Sequence, residues 1–452
     1  MLNDMTNNTH KNAPNFLVIQ LDQMTPGVLP AYGHHTVKAP HMTKLADEGV
    51  LFENAYCNFP LCVPSRMSML TGRYTSAIEQ WDNAIELPAA VPTLAHYLRS
   101  VGYHTALCGK MHFIGPDQVH GFDERITTDI YPANFAWTPD WIAGERYRPT
   151  GINTRAVVDA GVCKRSLQID YDDEVEHAGI QKIYDLARFN RDKPFLLWVS
   201  FTHPHSPFVT THKYWDLYDH DAIDMPKVGP IPVDDQDEMS RWLHYAHAQD
   251  LLTIADEHVR NARHAYYGMT SYLDDKVGRI MATLAEMELD GDTVVVLTSD
   301  HGEMLGERGA WFKQYFYEPS TGVPLIVRAP SRYKPGRVSE LVSLVDLLPT
   351  FLDLATDGDA PEPLSSLDGH SLTGLLAGGD ANWANRVIAE YTGEGVIAPC
   401  RMVRRDNYKY IYNHGHPPLI YDLAKDPLEV ENLAGRPEVA DAEAGLAAEI
   451  MD

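Results

Sequence analysis

The sequence contains little cysteine. Its 452 residues include five cysteines, an odd number without regular spacing, at positions 57, 62, 108, 163 and 400. Small secreted domains that depend on disulfides carry many cysteines in regular frameworks, so that class of protein is excluded. The pattern favours a reducing compartment.

Positive charge and long apolar runs are also scarce. Lys and Arg number 37 against 63 Asp and Glu, which gives a formal net charge of −26. This balance argues against nucleic acid as a partner, because phosphates require cationic surfaces. No apolar run reaches the roughly 20 residues that span a bilayer, and Met1 to Pro14 lacks the basic and apolar regions of a signal peptide. The sequence therefore predicts a cytoplasmic protein with no membrane partner.

What is present fits an α/β protein with one large and one smaller domain. Apolar runs rich in β-branched residues predict buried strands at 15–21, 194–201 and 293–298. Helices are predicted at 261–289 and 342–354. From about residue 381 the pattern changes to alternating, antiparallel strands. We therefore divide the chain into a catalytic domain, 1–380, and a C-terminal subdomain, 381–452.

Polar residues follow two of the predicted strands. Asp22 and Gln23 come directly after the first strand, and Asp300 and His301 come after the strand at 293–298. Open α/β sheets bind ligands at the carboxyl ends of their strands, so these four side chains are expected to converge. The pattern predicts a metal site; the alternative for the aspartates is a helix cap or a turn.

A cysteine stands at the predicted start of a helix. In Cys62-Val63-Pro64-Ser65-Arg66 a thiol precedes a proline, and Arg66 lies one helical turn later. The peptide dipoles at a helix N-terminus favour a thiolate, and Arg66 is near enough to neutralise that anion or a bound oxyanion. For an isolated cysteine, a buried structural thiol is the commoner interpretation.

Further cations and imidazoles occur near strand ends. Lys110 and His112 are two residues apart, which places both on one face of an extended segment. A cation beside an imidazole suits oxyanion binding and proton transfer. His203 and His205 follow another predicted strand, and Lys313 lies further along the chain. The ordinary alternatives are surface lysines and structural histidines.

The stretch Cys62 to Arg66, with Thr71-Gly72 after it, resembles the type I sulfatase signature Cys-x-Pro-Ser-Arg followed by Thr-Gly. Every defining position is filled, and the resemblance extends over nearly the whole chain. It implies an alkaline-phosphatase-like α/β fold, with a central mixed sheet flanked by helices and a small C-terminal antiparallel-sheet subdomain. It also implies that a formylglycine-generating maturation enzyme oxidises Cys62 to formylglycine, an aldehyde that hydrates to a gem-diol.

The resemblance implies roles for the residues above. One divalent metal would be held by Asp22, Gln23, Cys62, Asp300 and His301. Mainly oxygen ligands suit Ca²⁺ best and leave Mg²⁺ or Mn²⁺ open. A diol oxygen would attack sulfur while three cations stabilise the sulfate oxygens, namely Arg66, Lys110 and Lys313. His205 would protonate the leaving alcohol, and His112 would take a proton from the second hydroxyl so that sulfate leaves.

Within the family the choline-sulfatase branch is the most similar, as seen in the stretches 109–118 and 299–309. That branch acts on choline-O-sulfate and holds its quaternary ammonium with aromatic and acidic groups. By similarity, the substrate pocket would include Asn83, Trp137, Asn153, His203 and Glu394. Between His203 and His205, the following Ser206-Pro207 favours His205 as the residue that contacts sulfate.

Two departures from that branch leave other substrates open. Tyr147 to Ile152 lacks the aromatic and histidine residues usual there, and the chain ends at Asp452 without the extension by which choline sulfatases complete a neighbour's pocket. The alternatives are an aryl sulfatase, a phosphonate or phosphate ester hydrolase on the same site, and, if Cys62 stays a thiol, a non-catalytic anion-binding protein. A homo-oligomer is the expected assembly.

Overall fold

The computed structural model describes residues 13–131, 135–148, 151–189 and 192–451. Within these ranges the strands are β1 Asn15–Leu21, β2 Val50–Tyr56, β3 His104–Gly109, β4 Glu124–Arg125, β5 Gly161–Val162, β6 Phe195–Ser200, β7 Val209–Thr210, β8 Thr293–Ser299, β9 Gly322–Arg328, β10 Gly336–Ser343, β11 Arg386–Tyr391, β12 Cys400–Arg405, β13 Tyr408–Asn413 and β14 Leu419–Asp422. The helices are α1 Pro40–Asp47, α2 Cys62–Thr71, α3 Leu94–Ser100, α4 Arg155–Val158, α5 Leu167–Phe189, α6 His212–Trp215, α7 Glu238–Ala246, α8 Asp256–Glu286, α9 Glu318–Thr321, α10 Leu347–Thr356, α11 Thr373–Leu376 and α12 Ala440–Met451.

An eight-stranded mixed sheet forms the centre of the molecule, with strand order β10-β2-β9-β8-β1-β6-β3-β4. Strand β9 runs antiparallel to both of its neighbours, and every other neighbouring pair is parallel. The carboxyl ends of β1, β3, β6 and β8 therefore meet at one edge of the sheet. The prediction of a mixed central sheet is confirmed. Asp22 and Asp300 directly follow β1 and β8 at this edge.

The strands are apolar on both faces because helices cover both. Phe16 and Val18 of β1 pack into a core that includes α2, α3 and α10. Leu17 and Ile19, whose side chains point the other way, pack into a second core that includes α1, α5 and α8. Burial on both faces is the reason that β1 reads as a continuous apolar run rather than an alternating one.

A four-stranded antiparallel sheet, β11 to β14, forms the C-terminal part of the chain. Helix α12 covers one face through Leu446 and Ile450. The other face shares a core with Phe59 and Trp242, which belong to the larger part. The antiparallel C-terminal sheet is confirmed, and the division at residue 380 stays a prediction.

The helix predicted at 342–354 begins later than expected. Val342 and Ser343 end strand β10, which pairs with β2, and the helix starts at Leu347. None of the helices in the described ranges is both long and apolar enough to cross a membrane. The amino-terminal residues 1–12, on which the predicted compartment depends, lie outside the described ranges.

Candidate active site

Cys62 is the first residue of α2 and is buried. Its Sγ lies 3.3 Å from Nε2 of His301 and 3.7 Å from Nζ of Lys110. Burial raises the pKa of this thiol, but the Lys110 and Lys313 ammonium groups and the His301 ring outweigh burial, so the pKa lies well below its ordinary value. The position favours a negatively charged or strongly polar group.

Four of the predicted metal ligands come together. Potential ligand atoms of Asp22, Cys62, Asp300 and His301 all lie within 4.8 Å of one another, and all four residues are buried. The Oδ1 atom of Asp22 is buried and has no hydrogen-bond partner among the described residues. A buried carboxylate oxygen without a partner is costly unless something positive meets it. This donor set therefore fits a divalent cation.

Gln23, the fifth predicted ligand, follows β1 in a left-handed conformation with φ of 65°. Its backbone N–H donates to Asp300 Oδ1 at 3.1 Å. Its amide oxygen accepts from Nζ of Lys313 at 2.8 Å, and its amide nitrogen donates to Glu303. The side chain lies beside the ligand cluster, with its oxygen turned toward the cation of Lys313.

Arg66 lies against two of the predicted metal ligands. Its guanidinium donates to Asp22 Oδ2 at 3.0 Å and to Asp300 Oδ2 at 2.8 Å, and also to Ser200 and the Lys110 carbonyl. The side chain is fully buried behind the two carboxylates and does not line the cavity that contains Cys62. The structure places the Arg66 guanidinium against the two aspartates, and its contact with sulfate oxygens stays a prediction.

Lys110 and Lys313 both line the cavity beside Cys62. Lys110 also donates to Asp22, and its Nζ lies 4.6 Å from the centre of the Tyr131 ring. Nζ of Lys313 lies 2.6 Å from Nε2 of His205. Two buried ammonium groups on one cavity suit a ligand with anionic oxygens.

The two strand-end histidines have different surroundings. His205 lines the cavity; burial and Lys313 lower its pKa. His203 turns away, with Nδ1 2.6 Å from Asp172 Oδ2 and its ring packed on Tyr272. The structure places Nδ1 of His203 against Asp172 and does not place the residue on the cavity, so its contact with substrate stays a prediction.

His112 also lines the cavity, in a turn with φ of 62°. Its backbone N–H donates to the carboxylate of Asp129, which also accepts from Met111 and Arg125. Both ring nitrogens are buried without a hydrogen-bond partner among the described residues. The ring thus faces the same cavity as Cys62, and it contributes to the lowered pKa of that thiol.

The cavity has a volume of about 640 Å³, and the remaining predicted pocket residues also line it: Asn83, Trp137, Asn153 and Glu394. Asn83 also accepts the Val63 N–H near the start of α2 at 3.0 Å. Trp137 lies edge-on to the His112 ring at 5.8 Å. Burial raises the pKa of Glu394 to about 8, although Lys313 opposes the shift.

Comparison with known proteins identifies the family. The sulfatase family model matches residues 14–357, and a model of the C-terminal part of N-sulphoglucosamine sulphohydrolase matches residues 306–452. The chain is 43% identical to the choline-sulfatase of Rhizobium meliloti strain 1021, over 94% of this chain and 83% of that protein. It is 31% identical to arylsulfatase K of Gallus gallus, over 94% and 80%.

The chain belongs to the sulfatase family. Its structure is similar to that of the phosphonate monoester hydrolase of Agrobacterium radiobacter, with a TM-score of 0.77, 26% identity and coverage of 97% and 95% of the two chains. The protein is accordingly a hydrolase of sulfuric esters with an alkaline-phosphatase-like fold.

Sequence reasoning missed several residues that shape the site of this sulfatase. Glu303 holds Gln23, Asp129 fixes the turn at His112, and Tyr131 lies between the rings of His112 and His205. Glu303 follows His301 by two residues, so proximity was an available signal for it, whereas Asp129 lies 17 residues from His112. Their contacts depend on backbone turns that no residue pattern specifies.

Proposed function

We propose that this sulfatase hydrolyses the sulfate ester of a small cationic alcohol, with choline-O-sulfate, cleaved to choline and sulfate, as the leading substrate. The observation that carries the proposal is a buried carboxyl on the cavity of Cys62. The Oε2 atom of Glu394 is buried and has no hydrogen-bond partner among the described residues. Burial raises the pKa of this carboxyl to about 8, so a bound quaternary ammonium would favour its ionised form and pair with it. The half-buried Trp137 ring on the same cavity adds cation–π attraction.

A divalent metal, Ca²⁺ in the first place and Mg²⁺ or Mn²⁺ otherwise, would be held by Asp22, Gln23, Asp300, His301 and the group at position 62. The unpartnered Oδ1 of Asp22 supports such an ion. When bound, a divalent cation polarises a sulfate oxygen and favours ionisation of a nearby hydroxyl. Arg66 would hold both aspartates in place through its hydrogen bonds.

Position 62 would be formylglycine, produced from Cys62 by a maturation enzyme, and its hydrate would supply the attacking hydroxyl. Lys110 and Lys313 would neutralise the sulfate oxygens. The Lys313–His205 pair would protonate the leaving alcohol oxygen, and the proton would pass to it from Nε2 of His205. His112, whose ring nitrogens are free, would hold the proton released when sulfate departs.

A substrate panel tests the proposal. Choline-O-sulfate is compared with 3,3-dimethylbutyl sulfate, its uncharged isostere, and with an aryl sulfate and an aryl phosphate diester. We expect kcat/KM to be highest for the cationic sulfate and to be lost in Cys62→Ala. Preference for the phosphate diester would instead favour the phosphonate or phosphate ester hydrolase that the structural similarity leaves as second candidate.

The modification is tested separately by intact mass. The thiol-to-aldehyde mass loss at Cys62 is expected in active protein, and its absence with no turnover would favour an anion-binding protein. A homo-oligomeric assembly and a cytoplasmic location stay predictions.

A further inference from the structure

Gln314 occupies a buried position directly after Lys313. Its backbone has φ of 85°, and its N–H donates to the Pro60 carbonyl at 3.0 Å, just before the Cys62 turn. The side chain is 2% exposed and does not line the cavity. It is therefore placed to act on the site only through the groups that it bonds.

On one side the Gln314 amide contacts His247, with Oε1 against Nε2. Burial lowers the pKa of His247 to about 4, with Lys313 lowering it further and the Gln314 bond opposing the shift, so the ring is neutral. Since an amide oxygen only accepts, Nε2 must carry the ring proton. This bond fixes which way the amide faces.

On the other side the Gln314 amide nitrogen faces Glu394. It lies 3.3 Å from the Glu394 carbonyl and 3.4 Å from its Oε1. The hydroxyl of Tyr391 donates to the same carbonyl at 2.7 Å. One carboxyl oxygen of Glu394 thus receives an N–H, and the other, Oε2, is left for a ligand.

The chain also ties this arrangement to the opposite part of the pocket. The carbonyl of His247 accepts from the backbone N–H of Thr154 at 2.9 Å and from its hydroxyl at 2.7 Å. Thr154 follows Asn153, which lines the cavity. His247 and Gln314 therefore connect two walls of the cavity through buried bonds.

We propose that Gln314, oriented by His247, is a positioning residue that holds the Glu394 carboxyl ready for the cationic group of the substrate. This role rests on the proposed function, because it concerns only the part of the ester that carries positive charge. The N–H donated to Oε1 fixes the orientation of the carboxyl and leaves Oε2 for the cation. Because burial raises the pKa of this carboxyl, a donor to Oε1 also favours the ionised form that the cation requires.

The test measures the ratio of kcat/KM for choline-O-sulfate to that for 3,3-dimethylbutyl sulfate. The two esters differ in charge and share size and leaving-group chemistry, so the ratio isolates cation recognition. We expect Gln314→Met to lower the ratio about tenfold, the effect of one hydrogen bond to a charged group. His247→Phe, which releases the amide, should lower it in the same direction. Gln181→Met, at an exposed position of α5, controls for the substitution.

A double variant shows whether Gln314 acts through Glu394. Glu394→Gln removes the charge, and Gln314→Met/Glu394→Gln should show a ratio no lower than Glu394→Gln alone. A wild-type ratio near one would overturn the proposed cationic substrate. A wild-type preference that survives in both Gln314→Met and His247→Phe, or an equal loss for both esters, would overturn the positioning role alone.

Discussion

Replacing Arg66 by Met separates two roles for this residue, support of the carboxylates and contact with sulfate. Arg66 is fully buried and bridges Asp22 and Asp300 at 3.0 and 2.8 Å. Breaking a buried ion pair by removing one partner costs about 3–5 kcal/mol, because the remaining charge stays buried. Here two carboxylates lose a charge-assisted bond, each worth roughly 1.5–3 kcal/mol, and the two together give roughly 3–6 kcal/mol, which overlaps that range.

The assay is denaturant unfolding of the chelated protein. We expect Arg66→Met to lower the free energy of unfolding by about 3–5 kcal/mol. Excess divalent cation should recover part of the loss, since a metal ion would replace the missing positive charge between the aspartates. Arg155→Met is the matched control: the Arg155 side chain is 77% exposed and pairs with Asp159, and its loss should cost at most about 0.5 kcal/mol.

An Arg66→Met protein whose chelated form has a free energy of unfolding within about 1 kcal/mol of wild type would contradict this expectation. That result would mean that Arg66 does not hold the buried carboxylates. If inorganic sulfate then stabilised wild type but not the variant, that result would support the predicted contact of Arg66 with sulfate oxygens.

Three further measurements concern the Glu394 carboxyl, metal binding and the buried Asp346. Glu394→Gln should lower the cationic-to-neutral kcat/KM ratio at least about 30-fold, or about 2 kcal/mol, since it removes one member of a buried charge pair; an unchanged ratio would exclude Glu394 as the cation's partner. Divalent metal added to chelated protein at 100 times Kd should raise the free energy of unfolding by about 2.7 kcal/mol, and Asp22→Asn should abolish that response, as thermal melts would show. Burial raises the pKa of Asp346 to about 7, above roughly 4 in the unfolded chain, so unfolded protein loses its proton first as pH rises. This group alone therefore lowers stability by up to about 4 kcal/mol between pH 4 and 7, and Asp346→Asn should flatten that part of the stability–pH curve; an unaltered curve would contradict the shift.

The position of the site could be predicted because parallel strands deliver their carboxyl ends to one edge. Asp22 and Asp300 follow β1 and β8, which are direct neighbours in the sheet. The continuous apolar runs of these two strands were enough to find both aspartates. The orientation of side chains could not be predicted in the same way. His203 and His205 stand two residues apart, but only His203 meets Asp172, 31 positions away in sequence.

The same limit explains the other differences. Arg66 donates hydrogen bonds to Asp22 and Asp300, which lie 44 and 234 residues away in the sequence. Gln314 is hydrogen-bonded to His247, which lies 67 residues away in the sequence. The helix predicted at 342–354 begins too early because the buried segment from Leu341 to Leu348, apolar except at Ser343 and Asp346, spans a strand end and a helix start. Both are buried all round, and burial removes the periodicity that would distinguish them.

The charge of the whole chain bears on the substrate as well as on solubility. A net charge of −26 repels a simple anionic ester that approaches the protein surface. Salt screens this repulsion at distances beyond the Debye length, which is about 8 Å at physiological ionic strength. Choline-O-sulfate carries one charge of each sign, so its approach meets no net repulsion. Inside the cavity Lys110 lies beside Cys62, and Lys313 and Glu394 line the same cavity. A zwitterionic ester offers an anionic group to the lysines and a cationic group to Glu394, whereas a purely anionic ester matches only the lysines.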